Sequence, residues 1–148
     1  MEIENAPERL RGLPSWLLNQ AALAANRIVG EGLAGIGAHR SHYAVLSALD
    51  EFGAASQAAL GRRCGIDRSD MVALVNALSR DRLVAKRPDP TDRRRNVITL
   101  TAAGRRRLRS LDTAVGGLQD ALLAPLSAAE RRQLVALRRR VVEHHGAT

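Results

Sequence analysis

Three consecutive arginines, Arg93 to Arg95, follow a Pro-Asp-Pro turn sequence that begins at Pro88. A guanidinium group is planar and always charged, so it binds phosphate oxygens and guanine edges through pairs of hydrogen bonds. Between residues 60 and 100 the chain has ten basic and five acidic residues, which gives this segment a charge of +5. These residues favour the binding of a polyanion. The alternative is a solvated turn in which the arginines pair with Asp89 and Asp92.

The composition of the whole chain points the same way. Its 148 residues include 23 basic and 15 acidic side chains, for a net charge of +8, and Lys86 is the one lysine. A length of this order is enough for one folded domain with its own core. No apolar run approaches the roughly 18 residues of a membrane span, and the N-terminal residues do not resemble a secretory signal. We therefore expect a cytoplasmic protein without a membrane partner.

The segments that precede the arginines predict helices. Residues 13–33 have apolar side chains at helical spacing, and Gly30, Gly32, Gly35 and Gly37 are expected to break this helix. A second helix is expected to begin at Ser41, with an apolar stripe that runs to Phe52. This second helix is expected to be well buried.

A helix-turn-helix pattern comes next. Ser56 is a typical N-cap for a short helix that stops at Gly65, and Asp67 is an N-cap for the following helix. From Asp67 onward one helical face is apolar, and the opposite face carries polar and small side chains. We expect that exposed face to contact a ligand.

Two short β-strands are predicted around the arginine run, at residues 83–87 and 96–100. Thr101 then caps a long amphipathic helix, and Ser127 with Glu130 forms a capping box for a last helix. The predicted order is helix, helix, helix-turn-helix, hairpin, long helix, helix. A helix can enter the major groove of DNA, and a narrow arginine-tipped hairpin can enter the minor groove.

Two stretches carry a specific resemblance. Residues 67–78 resemble the recognition helix of the MarR family, and residues 92–104, where D-x-R runs into L-T-x-x-G, resemble that family's wing. The resemblance implies a mainly α-helical fold with a small β-hairpin wing, a winged helix-turn-helix, and an intertwined dimer formed by the N- and C-terminal helices. It implies one MarR-like domain over 1–148, with dimerisation helices at 13–35 and 101–146 and a DNA-binding lobe at 41–100.

The resemblance also implies a regulator of transcription that binds double-stranded DNA as a homodimer, with repression favoured over activation and release by a small molecule. Independently, the first helix and the two C-terminal helices offer more apolar surface than a small winged domain can cover. A second copy of the chain would cover it, so this surface also predicts a homodimer. Two recognition helices related by a two-fold axis would read a pseudo-palindromic operator. The residues expected at the DNA are Ser56, Gln57, Arg68, Ser69, Asp70, Ala73, Asn76, Lys86, Arg87, Arg93, Arg94 and Arg95.

This sequence departs from the family pattern at the recognition helix and just after it. Ala73 and Ala77 stand where relatives often have arginine, so base readout is expected to depend on Arg68, Asn76 and contacts to thymine methyl groups. Arg82 stands where relatives usually have glycine, which is expected to alter the turn into the wing.

The resemblance further implies an effector site between the dimer helices and the DNA-binding lobe, and the residues expected there favour a phenolic or aromatic acid. Ordinary packing of the aromatic residues is the alternative. The candidate residues are Trp16, Gln20, Arg27, His39, Arg40, His42 and Tyr43. No cofactor or metal is expected, although His39 and His42 with His144 and His145 leave a zinc site conceivable. Cys64 is expected to be a core thiol rather than a redox sensor.

Two other classes of protein compete with a specific regulator. No glycine-rich phosphate loop, G-x-S-x-G elbow or H-E-x-x-H motif occurs, so an enzyme is not expected. A sequence-neutral architectural or RNA-binding protein is the stronger alternative because arginine can bind any phosphate backbone. The chain has one Trp, one Tyr and one Phe, so it has few platforms on which single-stranded bases could stack.

Overall fold

The computed structural model describes residues 2–146, so Met1, Ala147 and Thr148 at the ends of the predicted 1–148 domain lie outside the described residues. The N-terminal elements are a 3-10 helix at Ile3–Asn5, α1 at Glu8–Arg11, α2 at Pro14–Ala34 and α3 at Arg40–Phe52. The central elements are β1 at Ala55–Ser56, α4 at Gln57–Cys64, α5 at Arg68–Arg80, β2 at Val84–Pro88 and β3 at Asn96–Leu100. The C-terminal elements are α6 at Ala102–Leu122 and α7 at Ala128–Gly146.

The predicted fold class is confirmed: the chain is mainly α-helical with a small antiparallel sheet. The sheet has three strands in the order β1-β3-β2, and the predicted hairpin forms its β2–β3 half. Strand β1 was not predicted; it pairs Ala55 with Ile98 and Ser56 with Val97. None of the helices in the described residues is long and apolar enough to cross a membrane.

One hydrophobic core joins the helix-turn-helix to the sheet and to the long helix. Its fully buried side chains include Leu46 on α3, Leu60 on α4, Met71 on α5, Ile98 on β3 and Leu111 on α6. Complete burial of one such side chain contributes about 1.5–3 kcal/mol. The core therefore fixes the orientation of α5 and of the hairpin relative to α6.

The expected break in the first long helix is wrong at two glycines. Helix α2 continues through Gly30 and Gly32 and ends at Ala34, with Gly35 as its C-cap. A Cβ atom at Gly32 would overlap the Cδ atoms of Leu118 on α6. A larger residue at position 32 would require the Leu118 side chain to move, so the close packing of α2 against α6 favours glycine there.

Helix α3 differs from the prediction at both ends. His39 rather than Ser41 is the N-cap, since its ring nitrogen accepts a hydrogen bond from the backbone N–H of Ser41 at 3.2 Å. Phe52, predicted in the buried stripe, is 56% exposed. The guanidinium carbon of Arg63 lies 3.9 Å from the centre of the Phe52 ring, a cation–π contact at the surface.

The turn from α5 into β2 has the hydrogen bonds of a Schellman motif. The N–H of Leu83 donates to the carbonyl of Leu78 at 2.9 Å, and the N–H of Arg82 donates to that of Ser79 at 3.0 Å. Arg82 has φ of 59°, the left-handed conformation that glycine adopts most easily. Arg82 thus adopts the backbone geometry of a glycine site, and the Schellman hydrogen bonds form although the side chain was expected to alter this turn.

The predicted capping box starts α7. The backbone N–H of Ser127 donates to Glu130 Oε1 at 2.9 Å, and the N–H of Glu130 donates to Ser127 Oγ at 3.2 Å. Helix α7 has no buried residue within its described part. Its apolar side chains Leu137, Val141 and Val142 are all at least half exposed.

Candidate nucleic-acid interface

Side-chain caps fix the two helices of the helix-turn-helix, as predicted. Ser56 Oγ accepts from the N–H of Ala59 at 3.1 Å, and Asp67 Oδ1 accepts from the N–H of Asp70 at 3.0 Å. The hydrogen bond from the Asp70 N–H, followed by that from the Ser69 hydroxyl, lowers the pKa of the Asp67 carboxyl. A carboxylate at this helix N-terminus also interacts favourably with the helix dipole.

The two helices approach each other closely at the turn between them. Gly65 ends α4 with φ of 65°. A Cβ atom at Gly61 would lie 2.9 Å from the backbone oxygen of Ile66, so a side chain there would push the helices apart. This close turn brings the N-termini of α4 and α5 to one surface.

Helix α5 presents the predicted face to solvent. Met71, Leu74, Val75 and Leu78 are buried in the core. The exposed side chains include the predicted base-reading residues Ser69, Asp70, Ala73 and Asn76. Val72 is exposed beside them, and sequence reasoning did not single it out.

The arginines at the tip of the hairpin are accessible. Asp89 accepts from the N–H and hydroxyl of Thr91 at 2.9 and 2.8 Å, and these bonds lower the pKa of its carboxyl. Asp92 pairs with Arg94 at 3.4 Å and with Arg95 at 3.8 Å, but the arginine side chains remain 93% and 72% exposed. Exposed pairs of this length contribute little to stability, so a phosphate could displace them.

A cleft of about 930 Å³ joins the helix-turn-helix to the hairpin. Its walls contain five of the predicted DNA-binding residues, namely Ser56, Gln57, Arg68, Arg94 and Arg95. It also contains Arg62 and Asn96, which sequence reasoning missed. Arg62 follows Ala58, which also lines the cleft, by four residues, so helical spacing could have placed both on one side of α4. Basic and hydrogen-bonding groups from three elements therefore meet on one concave surface.

Strand β2 contacts the exposed face of α5 through one hydrogen bond. Lys86 Nζ donates to Asn76 Oδ1 at 2.6 Å. Both residues were predicted at the DNA, but their contact with each other was not. Arg87, the next residue on β2, is exposed.

The candidate effector residues fall into two groups. At the start of α3, the rings of His39 and His42 lie 6.2 Å apart, and Arg40 donates a hydrogen bond to Asn26 on α2. Trp16 and Gln20 belong to the N-terminal half of α2, and ten residues of helix place Trp16 about 15 Å from Asn26 along the axis. Arg27 is exposed on α2. Within one chain Trp16 and Gln20 are thus separated from the residues at the start of α3.

Two polar contacts join the α3 region to the long helix α6. The hydroxyl of Tyr43 donates to Asp112 Oδ1 at 2.6 Å, and Arg107 donates to the carbonyl of Ile36 at 2.7 Å. The hydrogen bond to Asp112 and burial raise the pKa of the Tyr43 hydroxyl. Burial, followed by the charge of His39, lowers the pKa of His42. Titratable groups therefore lie at the junction between the α3 region and α6.

The surroundings of the histidines and of Cys64 bear on the conceivable zinc site and on the expected core thiol. In residues 2–146 no group of three or more His, Cys, Asp and Glu side chains is placed to hold a metal ion. His144 and His145 stack edge to face near the end of α7, 4.8 Å apart. Cys64 is half-buried, its Sγ lies 3.7 Å from the carbonyl oxygen of Ala44, and burial raises the pKa of its thiol. A raised pKa disfavours the reactive thiolate.

The α4–α5 pair followed by the arginine-tipped hairpin makes this chain a winged helix-turn-helix protein. A sequence model of the MarR family matches residues 36–95. Together with the relatives described next, this match shows that the chain belongs to the MarR family of transcriptional regulators.

Two relatives are similar in sequence. The chain is 33% identical over 106 residues to a transcriptional regulatory protein assigned to the hcr operon of Thauera aromatica, and this alignment covers 72% of the chain and 64% of that protein. It is 29% identical over 101 residues to the HTH-type transcriptional repressor NicR of Pseudomonas putida, with 68% of the chain and 64% of NicR covered. The chain thus spans less than two thirds of the length of either relative.

Two solved structures are similar in fold and sequence. The PcaV transcriptional regulator of Streptomyces coelicolor, in complex with its natural ligand, is 35% identical with a TM-score of 0.68, and the match covers 93% of this chain and 97% of PcaV. BpsR of Bordetella bronchiseptica is 25% identical with a TM-score of 0.76, covering 92% and 97%. The BpsR structure concerns regulation of its DNA binding by 6-hydroxynicotinic acid.

Proposed function

We propose that this protein is a transcriptional repressor that binds a pseudo-palindromic operator as a homodimer and releases it when a small aromatic or phenolic acid binds. The observation that supports DNA binding most directly is the cleft in which the α4 and α5 N-termini meet Arg94 and Arg95. Helix N-termini and arginines both bind phosphate, and an exposed helix face beside them fits the major groove.

In this proposal the interface residues have distinct roles. Ser56, Gln57 and Arg87 contact phosphates and set the position of the protein on the duplex. Ser69, Asp70, Ala73 and Asn76 face the bases of the major groove, together with Arg68. Arg94 enters the minor groove, and Arg93 and Arg95 contact the phosphates on either side of it. Relatives that regulate transcription, among them the repressor NicR, support a regulatory role for this interface.

The homodimer is supported by apolar surface at both ends of the chain. Leu13, Leu17 and Leu23 on and beside α2 are exposed, and so are the apolar residues of α7. Helices within 13–35 and 101–146 would cover this surface with a second copy, and the lobe at 41–100 would bind DNA. Two lobes related by a two-fold axis would contact half-sites about one helical turn apart.

The effector is proposed to bind where α3 faces the dimer helices. His39, His42 and Tyr43 offer ring surfaces and hydrogen-bonding groups, and Arg40 or Arg27 can pair with a carboxylate. In the dimer the partner's helices would bring aromatic surface such as that of Trp16, with Gln20, close to this region. The similarity to BpsR, whose DNA binding is regulated by 6-hydroxynicotinic acid, supports an aromatic acid, and the similarity to PcaV, solved with its natural ligand, supports a ligand-responsive regulator.

Fluorescence anisotropy tests DNA binding and its specificity. The full chain is titrated against labelled DNA from upstream of its own coding sequence, with random duplex as competitor. A regulator prefers its operator by about 10³-fold or more. Equal affinity for every duplex would contradict the proposal and favour the architectural alternative.

Arg94→Ala tests the role of the wing in the same assay. We expect operator affinity to fall about tenfold or more and the dependence of log K on log salt concentration to become shallower, because a phosphate-proximal charge is lost. Arg132→Ala, which removes the same charge from α7, is the matched control and is expected to change neither quantity appreciably. An unchanged isotherm for Arg94→Ala would contradict the role of the wing.

A panel of aromatic acids added to the preformed complex tests the effector. Release by one compound, with a weaker effect on Arg40→Gln than on the unmodified chain, is the expected result. Release that is equal in both would contradict the role of Arg40, and no release by any aromatic acid would contradict the proposed effector class.

A further inference from the structure

The contact between Lys86 and Asn76 fixes which way the Asn76 amide faces. A lysine ammonium has three donors and no acceptor, so the atom 2.6 Å from Lys86 Nζ must be the amide oxygen of Asn76. The Nδ2 group of Asn76 then lies on the other side of the amide and remains available. Both residues are exposed, so the pair is accessible from solvent.

This arrangement leaves the pair with mainly donors, because Asn76 Oδ1 keeps one lone pair and that lone pair lies beside the ammonium charge. Asn76 keeps the two hydrogens of its Nδ2 group, and Lys86 keeps two of its three ammonium hydrogens. On α5 the neighbours Ala73 and Ala77 carry no polar side-chain atom, and Arg80, one turn further on, adds only donors. Ser79, three residues after Asn76, is half-buried and can both donate and accept. The middle of the exposed face of α5 therefore presents more donors than acceptors and carries positive charge.

Major-groove base edges differ in the chemistry that they require. Adenine presents one acceptor and one donor, so in the usual asparagine contact with adenine the amide oxygen accepts from N6 and the amide nitrogen donates to N7. Guanine presents two acceptors, O6 and N7. A donor-rich, positively charged pair is complementary to guanine, and the ammonium beside Asn76 Oδ1 opposes the approach of the adenine N6 donor.

We propose that Lys86 is a positioning residue for Asn76, and that the pair selects guanine through O6 and N7 at one position of each operator half-site. The inference rests on the proposed function, since it assigns a base to the DNA interface described above. Lys86 thereby acts on sequence preference, whereas a lysine that contacts only phosphate acts on affinity for all sequences alike.

Selection of binding sites from a random duplex pool tests this assignment with the full-length chain. The unmodified protein is compared with Lys86→Met, Asn76→Ala and Arg87→Met. Lys86→Met keeps the length of the side chain and frees the Asn76 oxygen, so we expect guanine at one position per half-site to be replaced by adenine. Asn76→Ala is expected to weaken the guanine preference at the same position.

Arg87→Met is the matched control because it removes one charge from the adjacent residue of the same strand. It is expected to lower the affinity for all sequences and to leave every base preference unchanged. In a direct titration, 7-deazaguanine at the selected position, which lacks the N7 acceptor, is expected to weaken binding of the unmodified protein about tenfold.

Three results would overturn the inference. The first is selection of adenine by the unmodified protein at the position that changes in Asn76→Ala. The second is a Lys86→Met variant that behaves like Arg87→Met, which would make Lys86 a phosphate contact. In both cases the regulator proposal stands, because a sequence has been selected. The third is the absence of any enriched sequence, which would overturn the regulator proposal as well.

Discussion

At the scale of single residues, the hydroxyl of Tyr43, which joins α3 to α6, can be titrated without interference from another tyrosine. Tyr43 is the one tyrosine in the chain, so phenolate absorbance reports this group alone. Its hydroxyl donates to Asp112, and that hydrogen bond, with burial, raises its pKa above the ordinary value of 10.0. Removal of the phenolic proton would break the bond and place two negative charges side by side.

We predict that an ultraviolet titration of the folded protein gives a phenolate midpoint above 10.0. Asp112→Asn, which removes the carboxylate charge, is expected to bring the midpoint down towards that value. Since the folded state retains the proton more strongly than the unfolded state, this contribution to stability is complete below pH 10.0 and is lost as pH rises through the folded pKa. Identical midpoints in the two proteins would contradict the contact.

A second residue-scale prediction concerns Arg82 in its left-handed conformation. A side chain at φ of 59° costs roughly 1–2 kcal/mol, part of which glycine recovers. Arg82→Gly is expected to raise the free energy of unfolding by about 1 kcal/mol in urea denaturation. Arg80→Gly, two residues earlier and within α5, is the control and is expected to lower it by about 1 kcal/mol. A change of stability with the same sign in both variants would contradict a conformational cost at Arg82.

At the scale of elements, the junction of the hairpin with α6 depends on a close backbone contact. A Cβ atom at Gly104 would overlap the backbone oxygen of Leu83 and lie 2.6 Å from Leu100 Cδ1. The single hydrogen of the Thr101 hydroxyl is shared between the carbonyls of Arg82 and Leu83, which lie 2.7 and 3.0 Å from Oγ1. The start of α6 is thereby held against the turn that leads into the wing.

Gly104→Ala is expected to lower the free energy of unfolding by about 1–3 kcal/mol, because backbone rather than a flexible side chain must move. Gly117→Ala is the matched control on the same helix, since nothing lies within 4 Å of its Cβ position. It is expected to raise stability by about 0.5–1 kcal/mol through helix propensity. Urea unfolding at one fixed protein concentration measures both, and a stable Gly104→Ala variant would refute the close contact.

The elements that the sequence predicted well are those whose ends are determined locally. Ser56, Asp67, Thr101 and Ser127 each bind a backbone N–H within three residues, so their sequence positions alone indicate helix starts. Strand β1 was missed because its two residues form a strand only by pairing with β3, some forty positions later. Gly32 was misread as a helix breaker because its packing against Leu118 is a tertiary contact.

The candidate interface was predictable to a similar extent. The exposed face of α5 follows from helical periodicity, and the arginine-rich tip follows from its turn residues. The contact between Asn76 and Lys86 depends on how a strand crosses a helix, and no spacing in the sequence encodes that crossing. For the same reason, the separation of Trp16 from the α3 group could not be foreseen from residue types.

At the scale of the whole molecule, the proposed dimer predicts a change of mass on mutation. Leu134, Leu137 and Val141 recur at helical spacing along one face of α7. Leu137→Glu places a charge on that face and is expected to convert a dimer into a chain of 16.0 kDa in sedimentation velocity. Arg139→Glu, a larger charge change on the opposite face, is the control and is expected to remain dimeric. A wild-type protein that sediments as a monomer would contradict the proposal.

The order of the sheet has a further consequence for the molecule in a crowded solution. Strand β3 lies between β1 and β2, so one side of β2 presents backbone N–H and C=O groups that no strand of the described chain pairs. Such an open edge can recruit strands from other molecules and start aggregation. Here the strand is five residues long, carries the exposed charges of Lys86 and Arg87, and ends at Pro88. The basic residues of the wing thus also protect the protein against edge-to-edge association.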